Sequence, residues 1–209
     1  MLLYDCSTAP SPRRARMFIA EKGLSIPLRE VGLKDGEQRT PEYLAEVPTG
    51  TVPVLCTDDG QLISENVAIA AYLEALHPEP PLMGRTPLEK ARVLEWDFRV
   101  TFGAFTACAE MLRNSSPRMV DRALPGPLDV AQIPELAERG RARIGQFWSE
   151  MDAHLAEHTH MAGESYTFAD ITATCAVDFS KWVKVSPLED YSNIAEWHGR
   201  MVKRANYGA

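Results

Sequence analysis

The chain has 209 residues, 45% of them hydrophobic and 24% charged, with a formal net charge of −7. That is globular composition, enough for one large domain or two small ones. The apolar runs are short and broken by charge, which excludes a membrane-spanning chain. The acidic balance argues against a general nucleic-acid binder, which needs a basic face to displace counterions.

The first residues, Met1-Leu2-Leu3-Tyr4-Asp5, lack the basic region and apolar stretch of a secretory signal. They read as the start of a strand over residues 2–6. A loop follows, Ser7-Thr8-Ala9-Pro10, and then a helix over 12–22. Ser11 is its expected N-cap, Pro12 its first residue and Gly23 its stop. A second short strand is expected at 27–31, then a polar, irregular segment over 33–47. The third strand spans 52–57, Asp58-Asp59-Gly60 makes a hairpin turn, and 61–63 is a fourth strand. Ser64 then caps a helix reaching residue 76, with Val67, Ile69, Ala70 and Leu73 at helical spacing. The order is β-α-β, a connecting helix, a hairpin and a helix, which suits a small mixed sheet of thioredoxin-like architecture.

His77-Pro78-Glu79-Pro80-Pro81 separates the halves, because no residue there continues a helix comfortably. Beyond it helices are expected over 88–112, 134–157, 168–183 and 194–204, an all-helical bundle. The assignment is residues 1–77, a linker over 78–85, and 86–209. Cys6, Cys56, Cys108 and Cys175 are widely spaced with no C-x-x-C pair, and read as buried free thiols of a reducing compartment.

Three places carry chemistry. In Gly50-Thr51-Val52-Pro53-Val54-Leu55 a proline interrupts a strand pattern. It marks either a plain edge strand or a cis bond that turns the Val52 N–H and C=O outward to pair with a peptide. Ser64-Glu65-Asn66 opens a helix, where unpaired N–H groups hold a carboxylate and Glu65 accepts an ammonium. The alternative there is capping alone. The turn from Ser7 to Arg14 gathers hydroxyls, helix N–H groups and arginines at a helix head, a setting that lowers a thiol pKa. Its plainer reading is an N-cap at Ser11 and a solvated face carrying Arg13, Arg14 and Arg16.

Weaker constellations are His154, His158 and His160, read as exposed helix histidines rather than a metal site, and Phe98, Phe102, Phe105 and Met111, mostly core by their spacing. No phosphate-binding Gly loop and no Ser-His-Asp signature occurs.

The three elements, in this order, resemble the glutathione transferase family. The likeness covers almost the whole chain, through "LLYDCSTAPSPRRARMFIAEKGL", "GEQRTPEYLAEVPTGTVPVL", "DDGQLISENVAIAAYLEAL", "TPLEKARV" and "MAGESYTFADITA". In the last of these Thr167 is the N-cap and Asp170 its partner, a structural capping motif. Within the family the chain is most similar to the yeast-type Gtt transferases and their bacterial relatives. The resemblance implies an α/β thioredoxin-like N-terminal domain, an all-α C-terminal domain, and glutathione as co-substrate in the cleft between them. It implies contacts from Val52 and Pro53 to the cysteinyl group, from Glu65 and Asn66 to the γ-glutamyl end, and from Gln38 and Arg39 to the glycine end. Ser11, Thr8 and Ser7 surround the sulfur. Phe102, Phe105 or Thr106 face the electrophile.

The Gtt subgroup lacks the usual Tyr, Ser or Cys activator and stabilises the thiolate by a helix N-terminus and by groups of the second domain, partly through water. This chain agrees in part, with Ala9 at the activating-serine position. It departs from the family pattern at four places: Asn66 replaces a serine, Thr51 replaces a basic residue, Gln38, with Arg39 beside it, replaces a basic or His residue, and Asn114, Ser115 and Ser116 only loosely match the second-domain groups. The implied activity is conjugation of the glutathione thiolate to small hydrophobic electrophiles in detoxification. The alternatives are a glutathione-dependent peroxidase, dehalogenase, isomerase or ether lyase, and a non-catalytic binding relative. A cytoplasmic homodimer is expected, without metal, nucleic acid or membrane.

Overall fold

In the computed structural model, which describes residues 1–209, the chain forms two units. The first comprises Met1–Pro80 together with Leu124–Asp129 and Ala209; the second comprises Pro81–Ala123 and Val130–Gly208.

The first unit runs β1 (Leu2–Asp5), α1 (Pro10–Glu21), β2 (Leu28–Glu30), a 3-10 turn (Glu37–Arg39), α2 (Pro41–Glu46), β3 (Val54–Cys56), β4 (Leu62–Ser64) and α3 (Asn66–Leu76). The sheet order is β2-β1-β3-β4. β1 lies parallel to β2, with Leu3 opposite Leu28, and antiparallel to β3, with Tyr4 opposite Val54. β3 and β4 form the expected hairpin, with Val54 opposite Ser64. Tyr4, Val31, Tyr43, Val47 and Val54 make one buried apolar cluster. α1 packs on α3.

Two basic residues of α1 have structural roles. Arg16 donates to Asp5 Oδ1 at 2.6 Å and to the carbonyls of Cys6 (3.3 Å) and Ser7 (3.1 Å), so it shapes the turn after β1. Arg14 is buried as well. The solvated face expected for the α1 arginines is therefore corrected at these two: Arg16 finds its polar partners at the end of β1, and the Arg14 head group reaches Ser11 Oγ. Just past α1, the buried Lys22 ammonium pairs with Glu74 and donates to the His77 carbonyl at 2.8 Å and to the Pro80 carbonyl. These partners satisfy a cation that is costly to bury alone, and they fix the exit of the chain from α3.

Both helix starts near the sheet differ from the expected ones. α1 begins at Pro10, with Ala9 as N-cap and no side-chain cap. Pro10 has the fixed φ that suits a first helical position, so Ser11 falls inside the first turn. Ser64 ends β4 rather than capping α3, and Glu65 takes the N-cap position with φ 70°.

The second unit contains α4 (Pro87–Val100), α5 (Thr106–Ser115), α6 (Pro134–Leu155), α7 (Phe168–Ser180) and α8 (Ser192–Met201). α4 opens with a full capping box between Thr86 and Glu89. Between α4 and α5 the chain stays helical but widens into a π segment, Thr101–Phe105. Packing against this rod is close. A Cβ on Gly103 would stand 2.4 Å from Phe147, and one on Gly140 would stand 2.8 Å from the Ala107 carbonyl oxygen. These two glycines let α6 approach the α4–α5 rod closely.

α7 is buried along nearly its whole length. Thr167 and Asp170 form the expected capping box at its head. The fully buried Asp170 also accepts from Met161 N–H at 3.0 Å and from Trp197 Nε1 at 3.2 Å. Thr172 donates to the buried Asp97 at 2.6 Å.

His154 is not an exposed helix histidine. It is partly buried, with ring centroids 4.0 Å from Trp96 and 4.1 Å from His158. Burial, with the neighbouring His158, holds its pKa below the ordinary imidazole value. All four cysteines are free; Cys6, Cys108 and Cys175 are buried and Cys56 is partly so. Burial pushes the Cys108 thiol up to about 12, which makes it unreactive. No helix is long and apolar enough to cross a membrane.

Candidate functional site

The head of α1 is poor in donors. Pro10 and Pro12 have no N–H, so of the first three residues of the helix only Ser11 carries one. Ser11 also brings a hydroxyl. Asn66 Nδ2, at the first position of α3, donates to that hydroxyl oxygen at 3.1 Å. Arg14 Nη2 donates to the same oxygen at 3.4 Å. Asn66 is only 4% exposed, and its Oδ1 is buried without a hydrogen-bond partner. The two helix heads thus meet through one serine oxygen and leave one buried acceptor unpaired. A buried acceptor without a partner calls for a physical explanation, and a donor from a ligand is one that this place offers.

Glu65 stands beside them. Its φ of 70° and ψ of 130° lie where non-glycine residues are rare. Holding a side-chain-bearing residue there costs about 1–3 kcal/mol, and such residues gather at functional sites. The residue is exposed and its carboxylate pairs with nothing in the chain.

The other two hydroxyls of this turn are placed differently. Ser7 donates both its N–H (3.0 Å) and its hydroxyl (2.9 Å) to Glu30. Thr8 is exposed, with its oxygen 3.5 Å from Cys6 Sγ. Neither touches the Ser11–Asn66 pair.

Val52 and Pro53 precede the paired residues of β3, and the bond between them is cis. Buried Tyr43 supports this stretch by donating its hydroxyl to the Thr51 carbonyl at 2.9 Å. Burial pushes the Tyr43 hydroxyl up to about 12, so it stays a neutral donor. Arg29 lies over the rings of Tyr4 and Tyr43, 5.2 and 5.4 Å from their centroids.

Gln38 and Arg39 occupy the 3-10 turn before α2. Arg39 forms an ion pair with Asp129 and donates to the Pro127 carbonyl at 3.3 Å. Gln38 Oε1 is buried without a partner. Gly50, at φ 61°, leaves room where a Cβ would stand 3.1 Å from the Gln38 carbonyl oxygen and 3.2 Å from Pro127 N. The Leu124–Asp129 stretch therefore covers this turn. Nothing in the sequence signals it, because the partners are some ninety positions apart.

Phe102, Phe105 and Thr106 belong to the second unit. Phe102 is exposed and stacks parallel to Phe98 at 6.1 Å, with the Arg143 guanidinium 4.5 Å from its centroid. Phe105 is buried against Phe179 at 5.3 Å, and Thr106 opens α5 partly buried.

Comparison with known proteins matches residues 3–81 to the glutathione S-transferase N-terminal domain family and residues 112–205 to the glutathione S-transferase C-terminal domain family. Glutathione S-transferase 2 of Saccharomyces cerevisiae is 34% identical over 209 residues, which covers 98% of this chain and 86% of that protein. The chain belongs to the glutathione S-transferase family. The crystal structure of Gtt2 from Saccharomyces cerevisiae superposes on this transferase with a TM-score of 0.90 at 32% identity, covering 99% of this chain and 98% of that one. Maleylacetoacetate isomerase of Pseudomonas aeruginosa is 42% identical over 94 residues, 44% of each protein.

In this transferase the groups loosely matching the family's second-domain residues serve local structure. Asn114 Nδ2 donates to Glu110 O at 2.9 Å while its Oδ1 accepts from Ile133 N–H at 3.0 Å. Ser115 donates to Met111 O at 2.6 Å, and Ser116 accepts from Arg118 N–H at 3.3 Å. A surface groove between α6 and the chain before α8, lined by Trp148, Lys184 and Tyr191 among others, holds none of the residues singled out from the sequence.

Proposed function

We propose that this transferase holds glutathione at the heads of α1 and α3 and conjugates its thiolate to small hydrophobic electrophiles. The observation that carries the reading is the α3 head: a strained, unpaired Glu65 next to the buried, unpaired Oδ1 of Asn66. Both are acceptors, and they suit the γ-glutamyl ammonium. The N–H groups that open α3 suit the adjacent carboxylate. The Val52 backbone pairs with the cysteinyl group. Gln38 takes the glycine end, with Arg39 in reach of that end once its charge is not fully occupied by Asp129.

Thiolate attack forms the sulfur–carbon bond as the leaving group departs or the double bond accepts the electron pair. Ser11 is the hydroxyl assigned to the sulfur. Thr8 takes a lesser part, and Ser7, held by Glu30, the least. Phe102 and Thr106 contact the electrophile, with Phe105 supporting them from the core. The enzyme works as a cytoplasmic homodimer in detoxification.

Calorimetric titration with glutathione, followed by ultraviolet titration of the bound thiol, tests this. The expected result is saturable binding with a thiol pKa below that of free glutathione. A chain that binds no glutathione overturns the site, and a bound thiol that titrates as in free solution overturns the enzymatic role. The match to maleylacetoacetate isomerase favours a second reading, glutathione-dependent isomerisation of an unsaturated acid. Assay of a panel of aryl halides against a cis-enone acid separates the two.

A further inference from the structure

We infer that Asn66 is a positioning residue that holds the Ser11 hydroxyl with its proton directed away from the protein, toward the sulfur of bound glutathione. The inference rests on the glutathione site proposed above and assigns Asn66 a second role within it.

A serine hydroxyl has two acceptor lone pairs and one proton to donate. At Ser11 both lone pairs are occupied, by Asn66 Nδ2 at 3.1 Å and by Arg14 Nη2 at 3.4 Å. An amide nitrogen and a guanidinium nitrogen only donate, so neither can receive the serine proton. No other group of the chain accepts from Ser11. The O–H is left to donate outward, alongside the one N–H that Pro10 and Pro12 leave in this turn.

A hydroxyl locked as a donor stabilises an anion and is a poor base. Its task is therefore to stabilise the thiolate, not to remove the proton. The S–H bond breaks with its electron pair staying on sulfur, the proton passes to solvent, and Ser11 donates a hydrogen bond to the anion without giving up its own proton. The amide orientation sets this polarity, and in the structure it is Nδ2 that faces Ser11 while Oδ1 is the atom left unpaired. Turned round, Asn66 would place Oδ1 at Ser11, draw the serine proton inward and bury its NH2 without an acceptor.

A serine at position 66, the family's usual residue there, can donate or accept and so leaves the Ser11 proton free to point inward. The asparagine makes the polarity one-way. This explains how a chain with alanine at the activating-serine position still presents a directed hydroxyl at the helix head.

The experiment is a double-mutant cycle on the full chain, with Asn66→Ala, Ser11→Ala and the pair, read as the thiol pKa of the saturated glutathione complex and as the pH profile of kcat. Asn66→Leu, which keeps the volume of the side chain without its amide, guards against a collapse of the site in the alanine variant. The expected result is that either Asn66 change raises the bound thiol pKa by about half a unit to one unit with Ser11 present, and by nothing once Ser11 is alanine. An unchanged pKa in both Asn66 variants, or an equal shift with and without Ser11, overturns the inference while leaving the glutathione site standing. A wild-type chain that does not bind glutathione overturns the proposed site and this inference together.

Discussion

Glu65 joins two properties that pull against each other. Its backbone sits at φ 70°, where a Cβ is disfavoured, yet its carboxylate is exposed with no partner in the chain. Asp121 and Lys184 are the other non-glycine residues at positive φ, and neither lies at a helix head facing a buried orphan acceptor. Replacing Glu65 with glycine removes the backbone strain, less the extra freedom glycine has when unfolded. The net gain in stability is about 1 kcal/mol. On the proposed site the same change removes a charged acceptor from the γ-glutamyl end, and glutathione binding is expected to weaken by about tenfold or more. Chemical denaturation and calorimetric titration of Glu65→Gly read the two effects separately. A variant that is less stable and binds glutathione as before would mean that Glu65 is held for structure, not for the ligand. The candidate residues could be picked out in the sequence because helix heads and strand prolines have local signatures. The partners could not: the Ser11–Asn66 bond spans 55 positions and the Tyr43–Thr51 bond depends on the path of a loop.

At the scale of elements, the glycines of the helical unit divide into those that permit an approach and those that do not. Gly140 faces the Ala107 carbonyl oxygen at a distance no real Cβ tolerates, and Met111 stands close behind it. Gly145, on the same helix α6, meets nothing within 4 Å. Gly140→Ala is expected to force α5 and α6 apart and to cost about 1–3 kcal/mol. Gly145→Ala is expected to stabilise the helix by about 0.5–1 kcal/mol, since alanine is the better helix former. Thermal denaturation of the two variants checks both signs, and equal effects would show that helix propensity, not packing, governs these sites. The same contacts explain where the sequence was and was not legible. Helical spacing over residues 88–112 reveals one long rod, and the rod exists, from Pro87 to Ser115. The π segment inside it was hidden, because apolar spacing does not distinguish it from α-helix, and the close fit of Gly103 to Phe147 involves another helix. The mixed sheet and its β3–β4 hairpin were readable from the β-α-β pattern and the Asp58-Asp59-Gly60 turn; the pairing of β1 with β3 was not. The two helix starts beside the sheet were misplaced, because Pro10 outweighs Ser11 as a start signal and Glu65 adopts a backbone that no propensity favours.

At the scale of the whole molecule, chain order and spatial grouping part company at Leu124–Asp129. These residues lie between α5 and α6 in sequence, yet they belong with the sheet unit, against the Glu37–Arg39 turn and Gly50. Apolar burial does not hold them there: Leu124 is 60% and Leu128 74% exposed. What remains is polar. Arg39 reaches both the Asp129 carboxylate and the Pro127 carbonyl, and Gly50 leaves room for the chain to lie close. An ion pair with one exposed partner contributes about 0–1 kcal/mol, too little to affect global unfolding but enough to set how often a surface stretch opens. Asp129→Ala is therefore expected to leave the melting temperature almost unchanged. It should also speed amide hydrogen exchange within Leu124–Asp129 and across the Gln38 and Arg39 turn that this stretch covers. High salt should reproduce part of the effect in the wild-type chain by screening the same pair. If exchange in both places stays at the wild-type rate, the close fit at Gly50 and not the Arg39–Asp129 pair is what holds the stretch. Gly50→Ala, which sets a Cβ against Pro127 N and the Gln38 carbonyl oxygen at a positive φ, is then the change that releases it.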